Sequence, residues 1–248
     1  MDKQMWLQQC LQQHPYPVLF ASITGSHVYG FATELSDYDV HGVHCLPLEQ
    51  IVGLSGGDET IERKYTEQEP EVEVTTHDLK KFILLLLKGN GNVLEVLYSP
   101  LELRPSPIQD ELWALGKGCI SKLCAAHYKG MASNQQRRIY LNDVKKLLHI
   151  YRCLLMSIHL MRSGILVMDI PTLAREYQQP QVLDVIEQKK SGIEGLDHGE
   201  LNWHEQVLSK LHERLDEETQ RSQMPEKTSL ETRQRLEALL IRERIRAL

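Results

Sequence analysis

The stretch TGSHVYGFATELSDYDVHGV, residues 24–43, joins a Gly-Ser turn, a connection of small and turn-prone residues, and two aspartates one residue apart in an apolar strand. In an extended strand, residues two apart project to the same side, so the carboxylates of Asp37 and Asp39 share one direction in space. Like charges held together raise each other's pKa unless a cation stands between them. Mg²⁺ suits that position, because it takes one or two carboxylates and fills its remaining positions with water and substrate phosphate oxygens. Taken alone, SDYD also suits a solvated strand end, where Ser and Asp are common. Gly25 and Ser26 shift the balance towards a ligand: they end the preceding apolar strand, and a tight turn there offers backbone N–H groups and a hydroxyl to phosphate oxygens. The chain has no G-x-x-x-x-G-K-[ST] loop, and the further ligands of an EF-hand are missing.

Charge is distributed unevenly around this stretch. The net charge of −6 over 248 residues divides into −10 for residues 1–116, with 7 Lys/Arg against 17 Asp/Glu, and +7 for residues 117–152, with 8 against Asp143 alone. The remainder carries 13 against 16. An acidic first half beside a basic central segment suits a metal-binding face opposite an anion-binding face, although a solvated basic helix has the same composition. The hydrophobic fraction of 42% and charged fraction of 25% are those of a globular chain, and no apolar run reaches the length of a membrane span. The first residues lack the apolar core of a secretory signal, so a cytoplasmic protein without membrane attachment is expected. Five cysteines with no C-x-x-C pair read as buried thiols.

The first half alternates strands and helices. DKQMWLQQCLQQH is helical up to Pro15 and Pro17, PVLFASI and YDVHGVHC read as strands, and ETIERKY leads to EVEVTTH. Alternation in the last of these gives Val72 and Val74 one face and Glu71, Glu73 and Thr75 the other. LKKFILLLLKG predicts a helix closed by Gly, and NVLEVLYS a further helix after Asn92. From about Pro105 the pattern is helical nearly throughout: NDVKKLLHIYRCLLMSIHLMRSG with Asn142 as N-cap and Gly164 as C-cap, PTLAREY with Pro in the first turn, and two long terminal helices. The expected architecture is a small mixed α/β unit, 1–104, followed by an α-helical unit, 105–248.

On the long central helix, Lys145, His149 and Arg152 stand at i, i+4 and i+7 and form one stripe, with Lys146 beside it. Directed into a cleft opposite the carboxylates, this stripe neutralises a triphosphate; directed outward, it is a solvated face. His27, His41, His44 and His77 match no usual zinc-ligand spacing. Asn90, Asn92 and Glu95 read as organisers of a turn and a helix start, and Tyr128, Lys129, Gln135, Arg137 and Arg138 as a polar segment able to meet nucleotide or nucleic acid or to form a surface loop.

The Gly-Ser turn followed by a strand bearing Asp-x-Asp resembles the nucleotidyltransferases of the DNA polymerase β superfamily. GSHVYGFATELSDYDVHGV is more closely similar to their minimal bacterial branch, the RNA-repair-pathway DNA polymerase β family, and EVTTHDLKKFILLLLKGNGNVLEVLYSP matches that branch's second block, a strand carboxylate followed by a Lys-rich helix. The resemblance is strong over residues 18–100 and extends to VKKLLHIYR. It implies an α+β fold, in which an N-terminal polymerase-β-like α/β unit with a mixed sheet is followed by helices contributing a basic helix to the cleft. By the same resemblance, Gly25 and Ser26 hold nucleotide phosphates; the stripe of Lys145, His149 and Arg152 is expected to meet them from its helical spacing. Asp37 and Asp39 bind Mg²⁺ or Mn²⁺, and Glu73 supplies the third carboxylate by the register of EVTTHDLKKF, with Glu71 on the same strand face as the alternative. The reaction implied is transfer of a nucleoside monophosphate from an NTP or dNTP to an acceptor hydroxyl, on an RNA or DNA end or gap, with release of pyrophosphate. Two other outcomes share the fold: a nucleotide sensor or toxin–antitoxin partner, and a nucleotidyltransferase that modifies protein.

Overall fold

The computed structural model describes residues 3–137 and 143–246, and places five strands in one mixed sheet among many helices. The strands are β1 (Val18–Thr24), β2 (Tyr38–His44), β3 (Thr60–Tyr65), β4 (Val72–Asp78) and β5 (Glu102–Arg104), in spatial order β3-β4-β2-β1-β5. β2 and β4 run parallel and the other neighbours antiparallel. Among the described residues every strand falls before residue 105, where the sequence pattern turns helical.

The two faces of the sheet follow from alternation along each strand. Val18, Ala21, Val40, Val72, Val74 and Leu103 point to one face, where α1 (Lys3–Gln12) lays Trp6, Leu7, Cys10 and Leu11 over them. Phe20 and Val43 point to the other, into a larger core shared with α4 (Leu79–Leu87), α5 (Gly91–Tyr98) and the helices of the second half. Thr24, Asp39, His41 and Glu73 belong to this second face, because they alternate with the residues under α1. The aspartate strand therefore presents its carboxylate to the side on which the helices assemble.

The core does not stop at the change of sequence pattern. Helix α8 (Val144–Ser163) is buried along most of its length by α7 (Lys122–Gln136), α9 (Ile170–Glu176), α10 (Pro180–Lys190) and α11 (His198–Arg221). Leu201, His204, Leu208, Leu211 and Leu215 form the buried stripe of α11, at the alternating three- and four-residue spacing of a packed helix face. Helix α12 (Leu230–Arg246) returns to the sheet, where Arg244 Nη2 donates to both carboxylate oxygens of Asp78, at 2.5 and 2.6 Å, at the junction of β4 and α4.

Several local expectations are corrected. α5 starts at Gly91, not after Asn92, because the Asn90 side chain caps it by accepting from the N–H groups of Asn92 and Val93. α8 is capped by Asp143, whose carboxylate accepts from Lys146 N; the expected cap Asn142 lies outside the described residues, as does Arg138. Gly164 closes α8 in the left-handed conformation, as the sequence predicts. α10 lies in the stretch that reads as helical nearly throughout, without bounds of its own in the sequence pattern. All five cysteines are buried and free, and no helix among the described residues is long and apolar enough to cross a membrane.

Candidate active site

Strand β1 ends at Thr24, and Gly25 then turns the chain into the single-turn helix α2 (Ser26–Tyr29). Gly25 has φ 69°, and a Cβ built there would lie 1.8 Å from Oδ2 of Asp39. Only glycine tolerates both the left-handed backbone and that approach. The turn and the aspartate strand are tied a second time through His27, whose Nε2 donates to the Asp37 carbonyl at 3.1 Å while its ring stacks on Tyr38, centroids 4.1 Å apart. Thr24 and Asp39 are register partners, and the Thr24 hydroxyl donates to the Asp39 carbonyl at 3.3 Å.

The parallel pairing of β2 with β4 sets Asp39 directly beside Glu73. Asp37 stands exposed one residue before the strand, and Asp39 is half-buried. Burial first, then the negative charges of Glu73 and Asp37, push the Asp39 carboxyl above the usual aspartate range, with His27 and Arg152 acting against them. Among the described residues no Lys or Arg is ion-paired with Asp37 or Asp39. Glu71 lies just outside the cleft and is paired with Lys64.

The carboxylates open into a cleft of about 970 Å³, at the upper end of the range in which small-molecule sites fall. Ser26, Phe31 and residues 35–37 form its sheet side; Lys145 and Leu148 of α8, Lys189 of α10 and residues 192–196 form the helical side. Lys145 is exposed and, among the described residues, makes no ion pair, whereas its neighbour Lys146 is paired with Asp143 at 2.9 Å. Lys189 Nζ donates to the Phe31 carbonyl at 2.8 Å and sits 4.9 Å from the centre of the Phe31 ring. Burial, and then the charge of Lys145, lower the Lys189 pKa, so the two ammonium groups share one wall of the cleft.

The rest of the expected basic stripe goes elsewhere. Arg152 is buried beneath the cleft, where its Nη1 donates to Glu95 Oε2 and to the Tyr29 hydroxyl, both at 2.6 Å, and its guanidinium stacks on the Tyr29 ring. The Tyr29 hydroxyl also donates to Glu95 Oε2. His149 is partly buried beside Arg152, and burial followed by that cation lowers its pKa to about 4. Neither lines the cleft. Successive residues of the stripe meet different surroundings because α8 is enclosed by four helices and only its first turns reach the cleft. Glu95, expected at a helix start, is instead the buried partner of Arg152.

The four histidines are engaged separately: His41 Nδ1 with the Thr24 hydroxyl at 2.6 Å, His44 Nδ1 with Thr76 at 2.8 Å, His77 Nδ1 with Thr60 at 2.9 Å, and His27 as above. Among the described residues no three His, Cys, Asp or Glu side chains already enclose a position for an ion. The donor set nevertheless fits a hard divalent cation: carboxylate oxygens only, two of them on exposed side chains, beside an Asp39 whose ionised form is disfavoured by burial and by the charges of Glu73 and Asp37. Lys189 escaped sequence reasoning because α10 is not delimited there; the spacing of Val182, Val185 and Ile186 after Pro180 carries the signal that places it at a helix end.

A family model described as RNA repair pathway DNA polymerase beta family, RlaP, matches residues 2–242. An uncharacterized protein of Methanocaldococcus jannaschii is 29% identical over 153 residues, a match that takes in 59% of this chain and 61% of that protein.

Proposed function

This chain belongs to the RNA repair pathway DNA polymerase beta family, and on that premise we propose that it is a metal-dependent nucleotidyltransferase. It moves a nucleoside monophosphate from an NTP or dNTP to an acceptor hydroxyl and releases pyrophosphate. One observation carries this reading: three carboxylates stand together on the sheet side of the cleft, and Lys145 and Lys189 approach each other on the helical side, which also carries Glu194 and the Lys146-paired Asp143. A ligand that is cationic at one end and anionic at the other relieves both walls, and a metal–triphosphate has that polarity.

Asp37, Asp39 and Glu73 would hold Mg²⁺ or Mn²⁺. Bound there, the cation supplies charge neutralisation to the attacking and leaving oxygens of an in-line displacement at the α-phosphorus. The chain's own residues position the substrate. Ser26 and the backbone after Gly25 meet phosphate oxygens from the sheet side, and Lys145 and Lys189 meet them from the helical side by charge-assisted hydrogen bonds. Phe31, Leu148 and Leu196 give the same cleft an apolar part against which a nucleobase packs. Glu73, exposed at the rim, accepts the proton of the incoming hydroxyl at a carboxylate oxygen. Placement and charge neutralisation, rather than covalent chemistry, perform the catalysis.

For the acceptor we propose the end or gap of a nucleic acid, RNA before DNA, receiving one or a few nucleotides. The family description supports RNA, and the limited basic segment supports a short footprint rather than extended tracking along a duplex. The test is incubation with α-labelled NTPs and dNTPs in the presence of RNA, DNA, gapped duplex and protein acceptors across salt. The expected product is RNA extended by one or a few nucleotides, with yield falling as salt rises. Label confined to protein would overturn the nucleic-acid acceptor, and long processive products would overturn the limited transfer.

A further inference from the structure

One row crosses the sheet from its β3 edge: Lys64, Glu73, Asp39 and Thr24 are successive register partners. Glu73 therefore has a lysine on one side and a carboxylate on the other. The lysine also reaches diagonally to Glu71, which precedes β4 by one residue and shares the face of Glu73 by alternation. Lys64 Nζ lies 2.5 Å from Glu71 Oε2 but 3.5 Å from Glu73 Oε1.

We propose that Glu71 is a positioning residue: it holds the Lys64 ammonium away from Glu73 and so keeps Glu73 available to a divalent cation shared with Asp39. The inference rests on the metal-dependent reading of the cleft. Without Glu71, the only carboxylate within ion-pair distance of Lys64 among the described residues is Glu73. A metal would then compete with the ammonium for that carboxylate. Because all three side chains are substantially exposed, the competition is modest, of the size of a surface ion pair. The two glutamates thereby divide the labour that their shared strand face leaves undecided: Glu73 meets the metal and Glu71 meets the lysine.

The test is Mn²⁺ titration of the full chain, following the free-ion paramagnetic resonance signal, with thermal melts to confirm folding. Glu71→Gln should weaken Mn²⁺ binding by about two- to five-fold, the range set by an exposed ion pair. Lys64→Met should bind at least as tightly as the parent, and Glu71→Gln combined with Lys64→Met should bind like Lys64→Met alone. An unchanged affinity in Glu71→Gln would overturn the inference. So would a double variant as weak as Glu71→Gln, since Glu71 would then act on the metal without the lysine. Asp39→Asn separates this from the parent reading: Mn²⁺ affinity indifferent to Asp39→Asn would overturn the metal site itself, whereas affinity lost in Asp39→Asn but untouched by Glu71→Gln overturns only the role of Glu71.

Discussion

Two charged clusters occupy the same side of the sheet and differ in one respect. In the lower one, Arg152, Glu95 and the Tyr29 hydroxyl are buried and paired with one another. In the upper one, Asp37, Asp39 and Glu73 face Lys145 and Lys189 across an open cleft, with Asp39 crowded by the charges of Glu73 and Asp37 and Lys189 by that of Lys145. The paired charges of a buried cluster need no ligand to balance them, even where Glu95 Oε1 and Arg152 Nε lack a hydrogen-bond partner among the described residues, and breaking the pair leaves an uncompensated charge in the core. A cluster of like charge at a cleft costs stability in the free protein and recovers it when a ligand of complementary charge arrives. Arg152 thus belongs with the framework, and the site lies where like charges crowd together.

The largest expected effect separates activity from stability. Asp39→Asn should reduce nucleotidyl transfer by at least about a hundredfold, through loss of a charged metal ligand. The same change should leave the melting temperature of the metal-free protein equal or higher. The Asp39 pKa is raised in the fold, so the folded state holds the proton more tightly than the unfolded one; the ionised group is a penalty that is absent at low pH and full above the folded pKa, and asparagine removes it. A fall in both activity and melting temperature would place Asp39 in the framework.

The lower cluster should respond in the opposite sense. Glu95→Gln or Arg152→Met should cost about 3–5 kcal/mol of stability, the range for removing one partner of a buried pair, measured by chemical denaturation. Triphosphate affinity per folded molecule should change little. Lys145→Ala and Lys189→Ala should each weaken triphosphate binding by about 1.5–3 kcal/mol in calorimetric titration, Lys145→Ala with unchanged melting and Lys189→Ala with a small fall from losing its bond to the Phe31 carbonyl. The smallest effect concerns acid. His149, with a folded pKa of about 4, stays neutral in the fold but protonates near 6.5 when unfolded, so its contribution is lost as pH falls from about 6.5 towards 4. His149→Gln should flatten the melting temperature against pH in that window and leave transfer at neutral pH nearly intact; a large loss of transfer would move His149 into the site.

Much of the upper cluster was legible in the sequence because its signal is local. Strand alternation places Asp39 and Glu73 on one face each, and Gly25 announces the turn that must pass close to a carboxylate. That these two carboxylates are neighbours depends on the parallel pairing of β2 with β4, a non-local fact that no spacing within either strand contains. The stripe on α8 failed for the same reason. Helical spacing says that Lys145 and Arg152 share a face, but the neighbours of that face change along its length, from an open cleft to Glu95 and Tyr29. Arg244 on Asp78, separated by 166 residues, lies equally beyond local reading.

If the opposed charges of the cleft take a metal–triphosphate, pyrophosphate release must depend on both the metal and Asp39. The most direct measurement is pyrophosphate released from an equimolar mixture of the ribonucleoside and deoxyribonucleoside triphosphates with a short RNA acceptor, with and without Mg²⁺, for the parent and for Asp39→Asn. Release that requires Mg²⁺ and is lost in Asp39→Asn is the predicted result. Release that survives the substitution, or a parent that binds triphosphate yet releases no pyrophosphate under any metal condition, would contradict it.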